Sequence, residues 1–514
     1  MNQPPDQPAP LRLDKHMFEA GQQCHKRLWL DWHAPAQEHP SASRRELSAV
    51  GDELRDLART AFPKGVTIEA TDVDAAASET AARLEESAPV LFDAAFVGEG
   101  AVARCDILVV QKDKHVDLFE IKSGTKVKHR YVHDLALQAA VLAENGYVVQ
   151  RAYLLHLNTN YEHRAGDAYP PMQLLRSSDV TAKVTKQRAN VERKLQQLRG
   201  VVRSAAAPSL PMGTYCRSPF QCPHVAACTE AMDGLPLTRL PELTRQQEHQ
   251  LHKAGIRALG DVPPDRDGLT FRQRRTLQSH ANQARIVEPF VKEELHECER
   301  PLHFLAAFSA TDAMPRFDGQ RPWQRTPFGW AVLTLHEDGR VERGSYVQVD
   351  RDDPRAGFVK SLARHLEQGG TALVWGDECL RELRTLLDSI PGEKASVRAL
   401  LGQDHLDLRA LFESSVFDPE IYGYQDFPAL CATLLGDASG LEIEALRADV
   451  RFELVQKARA PRVRATTKEK IAGVILEALE WQVERLRTLF TEFAGPAGPA
   501  AAPPADEPAD ASEG

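Results

Sequence analysis

Nothing in the chain approaches the run of about 20 apolar residues that a membrane-spanning helix needs, so no such helix is expected. Net positive charge is lacking too. Lys and Arg number 63 against 73 Asp and Glu, a formal charge of −10, so any nucleic-acid surface must be a local basic patch rather than a property of the whole. Cysteine is sparse, at eight in 514 residues. So small a set in a reducing compartment reads as metal ligands plus core residues before it reads as disulfides. Met1 to Pro10 carries neither a basic n-region nor an apolar h-region, which predicts no secretion signal and a cytoplasmic chain with no membrane partner.

What remains is ordinary globular composition, 42% hydrophobic and 26% charged, in a chain long enough for about three domains. Residues 1–10 and 494–514 are expected to be disordered, the latter an acidic tail of Ala, Pro and Gly. Residues 11–231 form a first block. Helical periodicity runs from Ser43 to Phe62 and a second helix is expected over Ala75–Ser87. Strands follow at Pro89–Val97, Val102–Val110 and Val116–Lys122, then a helix over Tyr131–Asn145, a buried strand over Tyr147–Leu157 and a long helix over Val180–Ala205. The core order is α-β-β-β-α-β. Residues 232–296 read as a helical linker: helix, turn at Gly255, second short helix ending at Pro263-Pro264. Residues 297–493 alternate strands (Gly329–Leu335, Ser345–Val349, Ala372–Val374) with helices (Arg355–Gln368, Glu378–Ser389, Thr467–Phe493), the pattern of a second α/β domain.

The chemistry concentrates on a hairpin. With its turn near Lys112–Lys114, residues whose numbers sum to about 226 lie opposite one another, so Asp106 faces Glu120. Side chains alternate along a strand, which puts Lys122 on the same face as Glu120. Two carboxylates and an ammonium on one sheet face suit phosphodiester hydrolysis: hard oxygens hold Mg²⁺ or Mn²⁺, and a lysine readies the attacking water. The alternative is a surface ion pair on a hairpin. Against it, Ile107, Leu108, Val109, Leu118, Phe119 and Ile121 make these carboxylates expensive to half-bury without a cation. Gln138 lies on the sheet-facing side of the next helix, beside Leu135 and Leu142, within reach of a nucleophile. Lys126, Lys128 and Arg130 follow with no intervening acid, as a track for DNA backbone phosphates or as a solvated loop.

The cysteines Cys216, Cys222 and Cys228 recur with five residues between neighbours, and Cys24, in a Cys-His-Lys-Arg run, is the best candidate for a fourth ligand. Four thiolates suit tetrahedral Zn²⁺ or a [4Fe–4S] cluster, and spacing does not separate the two. His224 reads as a helix-surface residue, and Cys105, Cys298, Cys379 and Cys431 as small core residues.

Cys24-His25-Lys26-Arg27-Leu28-Trp29, Gly51, Asp106, Glu120-Ile121-Lys122, Gln138 and the three late cysteines together resemble the PD-(D/E)xK nuclease superfamily. The likeness is to its RecB-like, iron–sulfur branch, which includes the CRISPR-associated exonucleases and the AddB nuclease domain. That resemblance implies a restriction-endonuclease-like core. It also implies metal ligation by Asp106, Glu120 and the Ile121 carbonyl, water activation by Lys122, a Gln motif at Gln138, and a [4Fe–4S] cluster on Cys24, Cys216, Cys222 and Cys228. The motif's tyrosine position is Leu142 here, and Arg55 stands where many members carry a first-helix His.

The stretch Gly319-Gln320-Arg321-Pro322-Trp323-Gln324-Arg325-Thr326-Pro327-Phe328 resembles a bacterial family that joins this nuclease to a DnaQ-like, RNase H-fold exonuclease. Counting back places that fold's first two carboxylates at Ala306 and Phe308 and its last at Gln482, with Asp407 surviving; such a domain is catalytically dead and kept for binding or assembly. The Leu240–Asp261 segment resembles a helix-hairpin-helix, with a plain linker as the alternative. A second basic stretch from Lys457 to Lys470 offers a groove or a solvated loop.

These readings converge on an α/β protein that is a metal-dependent nuclease for single-stranded DNA or DNA ends, in repair or anti-phage defence. A non-cutting nucleic-acid adaptor within a larger complex is the alternative, and RNA a lesser substrate possibility.

Overall fold

The computed structural model describes residues 11–35, 42–421 and 426–495. The disorder expected of residues 1–10 and of the tail from 496 lies outside the described residues; Ala494, counted with that tail, instead ends a helix.

Asp14 starts the first helix, α1 (Lys15–Gln23), its carboxylate accepting from the Met17 N–H at 2.8 Å. Cys24 then both ends α1 and caps α2 (His25–His33). After α3 (Ala42–Arg59) come β1 (Gly65–Thr67), α4 (Val73–Glu85), β2 (Val90–Val97), β3 (Val102–Val110) and β4 (His115–Lys122). Then follow α5 (His129–Glu144), β5 (Val148–Leu157), α6 (Pro171–Leu174), β6 (Leu175–Asp179) and α7 (Thr181–Arg203). The expected α-β-β-β-α-β succession is therefore present, extended by a strand at each edge.

The six strands form one sheet in sequence order, β1 to β6. The β2–β3–β4 meander is antiparallel, and β4 runs parallel to β5 because α5 carries the chain across. One face packs on α5 and α7 through Leu108, Leu118, Leu135, Leu142 and Leu195. The other packs on α3 through Val50, Leu54, Phe92, Ile107, Ile121 and Leu155. The edge strands were invisible in the sequence for physical reasons. β1 spans three residues, and β6 reads Leu-Arg-Ser-Ser-Asp, an exposed edge with one buried residue and no apolar alternation.

The linker departs from expectation. Its first helix is α9 (Arg245–Lys253), following the short α8 (Val225–Glu230), and Gly255 makes the turn at φ +82°. In place of a second helix stands a single 3-10 turn, Leu259–Asp261, because Pro263-Pro264 leaves the backbone no N–H to continue with. α10 (Phe271–Asn282), β7 (Ile286–Val287) and α11 (Phe290–His296) lead into the second half.

There, β8 (Leu302–Thr311), β9 (Arg325–Leu335) and β10 (Val341–Val347) form an antiparallel meander. After α12 (Arg355–His365), β11 (Thr371–Val374) adds parallel to β8; after α13 (Glu378–Ser389) and α14 (Lys394–Leu401), β12 (Asp404–Asp407) adds parallel to β11. Sheet order is β10-β9-β8-β11-β12. α15 (Leu408–Ser415), β13 (Val416–Phe417), α16 (Phe427–Leu435), α17 (Ala448–Arg459) and the 30-residue α18 (Ala465–Ala494) complete it. β8 was missed in the sequence because both its faces are buried, and a continuous apolar run cannot be told from a buried helix by periodicity. The whole is mixed α/β, and no helix among the described residues is long and apolar enough to cross a membrane.

Candidate functional site

The ladder between β3 and β4 pairs Ile107 with Phe119 and Leu108 with Leu118, the register expected from the turn. The ladder ends there, and Asp106 and Glu120 are the residues just beyond it on the two strands. Asp106 Oδ2 accepts from the Ile121 N–H at 2.7 Å, so the contact Ile121 makes here is through its N–H. Glu120, 2% exposed, is gripped by three donors: Lys122, Lys15 at 2.8 Å, and Gln138 Nε2 at 2.8 Å on the other carboxylate oxygen. A third carboxylate, Asp134, completes the cluster; Lys122 lies 2.9 Å and Lys15 2.6 Å from it. Gln138 Nε2 reaches Asp134 at 3.3 Å, whereas its Oε1 is buried without a partner.

These contacts push the two facing acids in opposite directions. Burial raises the Asp106 carboxyl, the Glu120 charge raises it further, and Lys15 and Lys122 only partly offset them, leaving it at about 7. For Glu120 burial is outweighed by Lys122 and Lys15, which hold it well below the usual carboxylate range. Both lysines are raised despite burial, because Glu120 and Asp134 favour their charged forms. Arg55 of α3 adds a cation that Asp106 helps keep charged against its own burial.

A stability prediction follows from the Asp106 shift. A carboxyl raised on folding binds more protons native than unfolded between pH ~4 and 7, so its contribution is lost as pH rises through that window. Asp106→Asn is expected to raise Tm by a few °C at pH 8 and to change it little at pH 5. Thermal unfolding of metal-free protein at the two pH values checks this; equal shifts at both would contradict it.

Lys15 and Asp134 escaped the sequence reading. Asp134 had a signal, being an acid one turn before Gln138 on a helix whose neighbours Val132, Leu135 and Ala136 are all buried. Lys15 had none: it reaches Glu120 across 105 residues of chain. Leu142, at the motif's tyrosine position, is fully buried core.

Of the expected phosphate track, Lys126 and Lys128 are exposed. Arg130 is not free to follow a strand, because its guanidinium stacks on Phe220 at 4.6 Å and on Tyr131 at 4.8 Å. In the second basic stretch Arg459 is likewise spent on Phe317 at 4.6 Å, while Lys457, Arg462, Arg464 and Lys470 are exposed.

Cys24, Cys216, Cys222 and Cys228 line one small cavity with Arg27, Met212 and Tyr215. Gln23 at the end of α1 ties the late cysteine loop down, donating to the Tyr215 carbonyl at 2.8 Å and the Phe220 carbonyl at 2.7 Å. Trp29 of α2 donates to the Ser204 carbonyl at 2.8 Å, so the block's two ends are laced together. Burial raises the thiols of Cys24 and Cys216, and that of Cys222 to about 11. His224 is not on the surface as expected; it is 6% exposed and paired with Asp31 at 2.7 Å. Cys105, Cys379 and Cys431 are buried, and Cys298 is half-buried at a core edge. Among the described residues, no group of three or more His, Cys, Asp and Glu side chains is gathered closely enough to hold a metal ion. The donor chemistry fits all the same: four thiols around one cavity suit a soft metal, and the unpartnered Gln138 Oε1 beside two acids suits a hydrated hard cation.

In the second half, a cavity of about 480 Å³ opens along the part of β8 that runs on beyond the end of β11. Leu305, Ala307 and Ser309 line it, whereas Ala306 and Phe308, the two positions reached by counting back along the sequence, pack into the opposite core. Glu382, 5% exposed, is held there by Ser309 and by Arg325 at 2.5 Å, and burial raises its carboxyl. Arg409, Arg447, Arg451 and Gln482 also line it. Asp407 caps α15, accepting from Arg409 and Ala410 N–H groups, and accepts from Gly376 N–H at 2.8 Å.

Residues 308–425 match a family model described as Domain of unknown function (DUF2779). No curated protein and no solved structure matches the chain.

Proposed function

We propose that the chain is a metal-dependent deoxyribonuclease whose cutting site is the Asp106–Glu120–Lys122–Gln138 cluster. The observation that carries this is the gathering around the end of β4 of two acids, a lysine and a glutamine with an unsatisfied buried carbonyl. A Mg²⁺ or Mn²⁺ ion on Asp106, Glu120 and the Ile121 carbonyl would polarise the phosphate and acidify a bound water. Gln138 Oε1, buried without a partner, would accept a hydrogen bond from that water and so orient it. Lys122, kept charged by Glu120 and Asp134, orients the phosphate and offsets developing negative charge rather than taking the proton. Asp134 holds Lys122 in place, and Lys15 keeps the buried carboxylates paired.

The strand order of the first sheet supports a restriction-endonuclease-like core, with Cys24, Cys216, Cys222 and Cys228 holding a [4Fe–4S] cluster that staples its ends; Zn²⁺ is the lesser alternative. The β10-β9-β8-β11-β12 order supports an RNase H-like second domain. No pair of acids faces the cavity from β8, so in this reading that domain binds rather than cuts.

Labelled single-stranded DNA incubated with Mn²⁺ and either wild type or Asp106→Ala tests the reading. Cleavage by the wild type alone supports it. A mobility shift without cutting supports the second reading, a nucleic-acid adaptor of a repair or defence complex. That reading is favoured by Lys15 and Lys122, which already neutralise Glu120 and Asp134 by ion pairing. Competition with matched RNA reports the substrate class.

A further inference from the structure

The connection between β8 and β9, residues 312–324, does not stay with its own sheet. It reaches into the first half and completes the core beneath the acidic cluster, where Ala313 and Met314 are buried with Ile121, Leu155 and Leu157 and Trp323 packs alongside. Main-chain bonds weld it there: His163 N–H donates to the Gln320 carbonyl at 2.9 Å and Gly319 N–H to the His163 carbonyl at 2.8 Å. Tyr169 OH donates to the Pro315 carbonyl at 2.7 Å, and Arg321 reaches Glu162 at 2.5 Å.

The family-like stretch is thereby explained residue by residue. Gln320, 1% exposed, shapes the arm from within, accepting from the Arg316 and Phe317 N–H groups and donating to Thr326. Gly319, at φ +68°, lies so near Ser389 that a Cβ would stand 3.2 Å from its carbonyl oxygen. Trp323 holds φ +62°, a conformation bulky residues rarely adopt unless their surroundings impose it. Its indole N–H donates to the Ser123 carbonyl at 2.6 Å. Ser123 directly follows Lys122, and the exposed Lys126 and Lys128 lie just beyond.

We propose that this arm is a working part of the first half's site and that Trp323 is a positioning residue, fixing the end of β4 and thereby Lys122 and the basic loop after it. The proposal rests on the nuclease reading for its effect on rate, but not for its effect on local order. Ångström-scale loosening at a reacting group costs rate rather than affinity, so Trp323→Phe, which keeps the ring and removes the donor, is expected to lower kcat about tenfold with KM for DNA within about twofold.

Amide hydrogen exchange on the full chain supplies the independent readout. Peptides covering residues 118–128 should exchange faster in Trp323→Phe and Trp323→Ala than in wild type, with peptides over 90–105 unchanged. Should Trp323→Ala loosen everywhere, the milder variant decides. Wild-type exchange at 118–128 in Trp323→Phe overturns the proposal, whatever the activity. If wild type fails to cut DNA while exchange responds as expected, the nuclease reading falls and the positioning role stands.

Discussion

Lys122→Ala is expected to lower Mn²⁺-supported cleavage of DNA by at least about 10³-fold while leaving DNA affinity within about twofold. The expected size reflects loss of a fixed cation at the reacting phosphate in a site shielded from water. Binding survives because Lys126 and Lys128 are exposed and separate from the cluster. The fold survives because Lys15 still contacts both Glu120 and Asp134. That redundancy has a corollary. Lys15→Ala combined with Lys122→Ala strips both cations from two buried carboxylates and is expected to cost about 3–5 kcal/mol of stability, well beyond the sum of the single changes. Chemical denaturation of the four-variant cycle measures it. Undiminished cleavage by Lys122→Ala would remove the assignment of the site.

Cys222→Ser should have the second large effect. If a [4Fe–4S] cluster sits among the four thiols, purified wild type is brown, with charge-transfer absorbance that this variant bleaches. Such a cluster would close the loop between Cys24 and the late cysteines, so its loss is expected to lower Tm by at least about 10 °C. Cys298→Ser, whose sulfur lies 3.5 Å from the Glu294 carbonyl and away from that cavity, should change neither property. Colourless protein with stoichiometric zinc would select the tetrahedral alternative. Protein with neither metal would leave the cysteine loop held by polar contacts such as those of Gln23 with Tyr215 and Phe220 and of His224 with Asp31.

The sign of the Asp106 shift links these experiments. A carboxyl held at about 7 by burial and by Glu120 is a site under electrostatic tension in the absence of a cation. Losing that acid should stabilise the fold at alkaline pH and abolish cutting together, a stability–activity opposition that a purely structural ion pair would not show.

Local pattern determined a good deal. Alternation along β3 and β4 and the turn between them set the 106/120 register, and the apolar face of α5 put Gln138 over the sheet. Those are relations between neighbours or across one hairpin, where the periods of strand and helix leave little freedom. Edge strands with polar sequences, and β8 with both faces buried, carried no such period.

Long-range placement was settled only in three dimensions. Lys15 meets Glu120 because α1 folds back onto the first sheet, and Trp323 meets Ser123 across 200 residues because the β8–β9 connection packs into the first half; no local spacing encodes either approach. The face of β8 that holds Ala306 and Phe308 is decided in the same way: a one-residue change of phase exchanges the faces of a strand, and only packing in three dimensions reveals which face is core. The sequence alone thus determined which chemical groups share a hairpin. Tertiary structure decided which distant cations balance them and which part of the second half holds them still, because burial and charge pairing depend on neighbours in space.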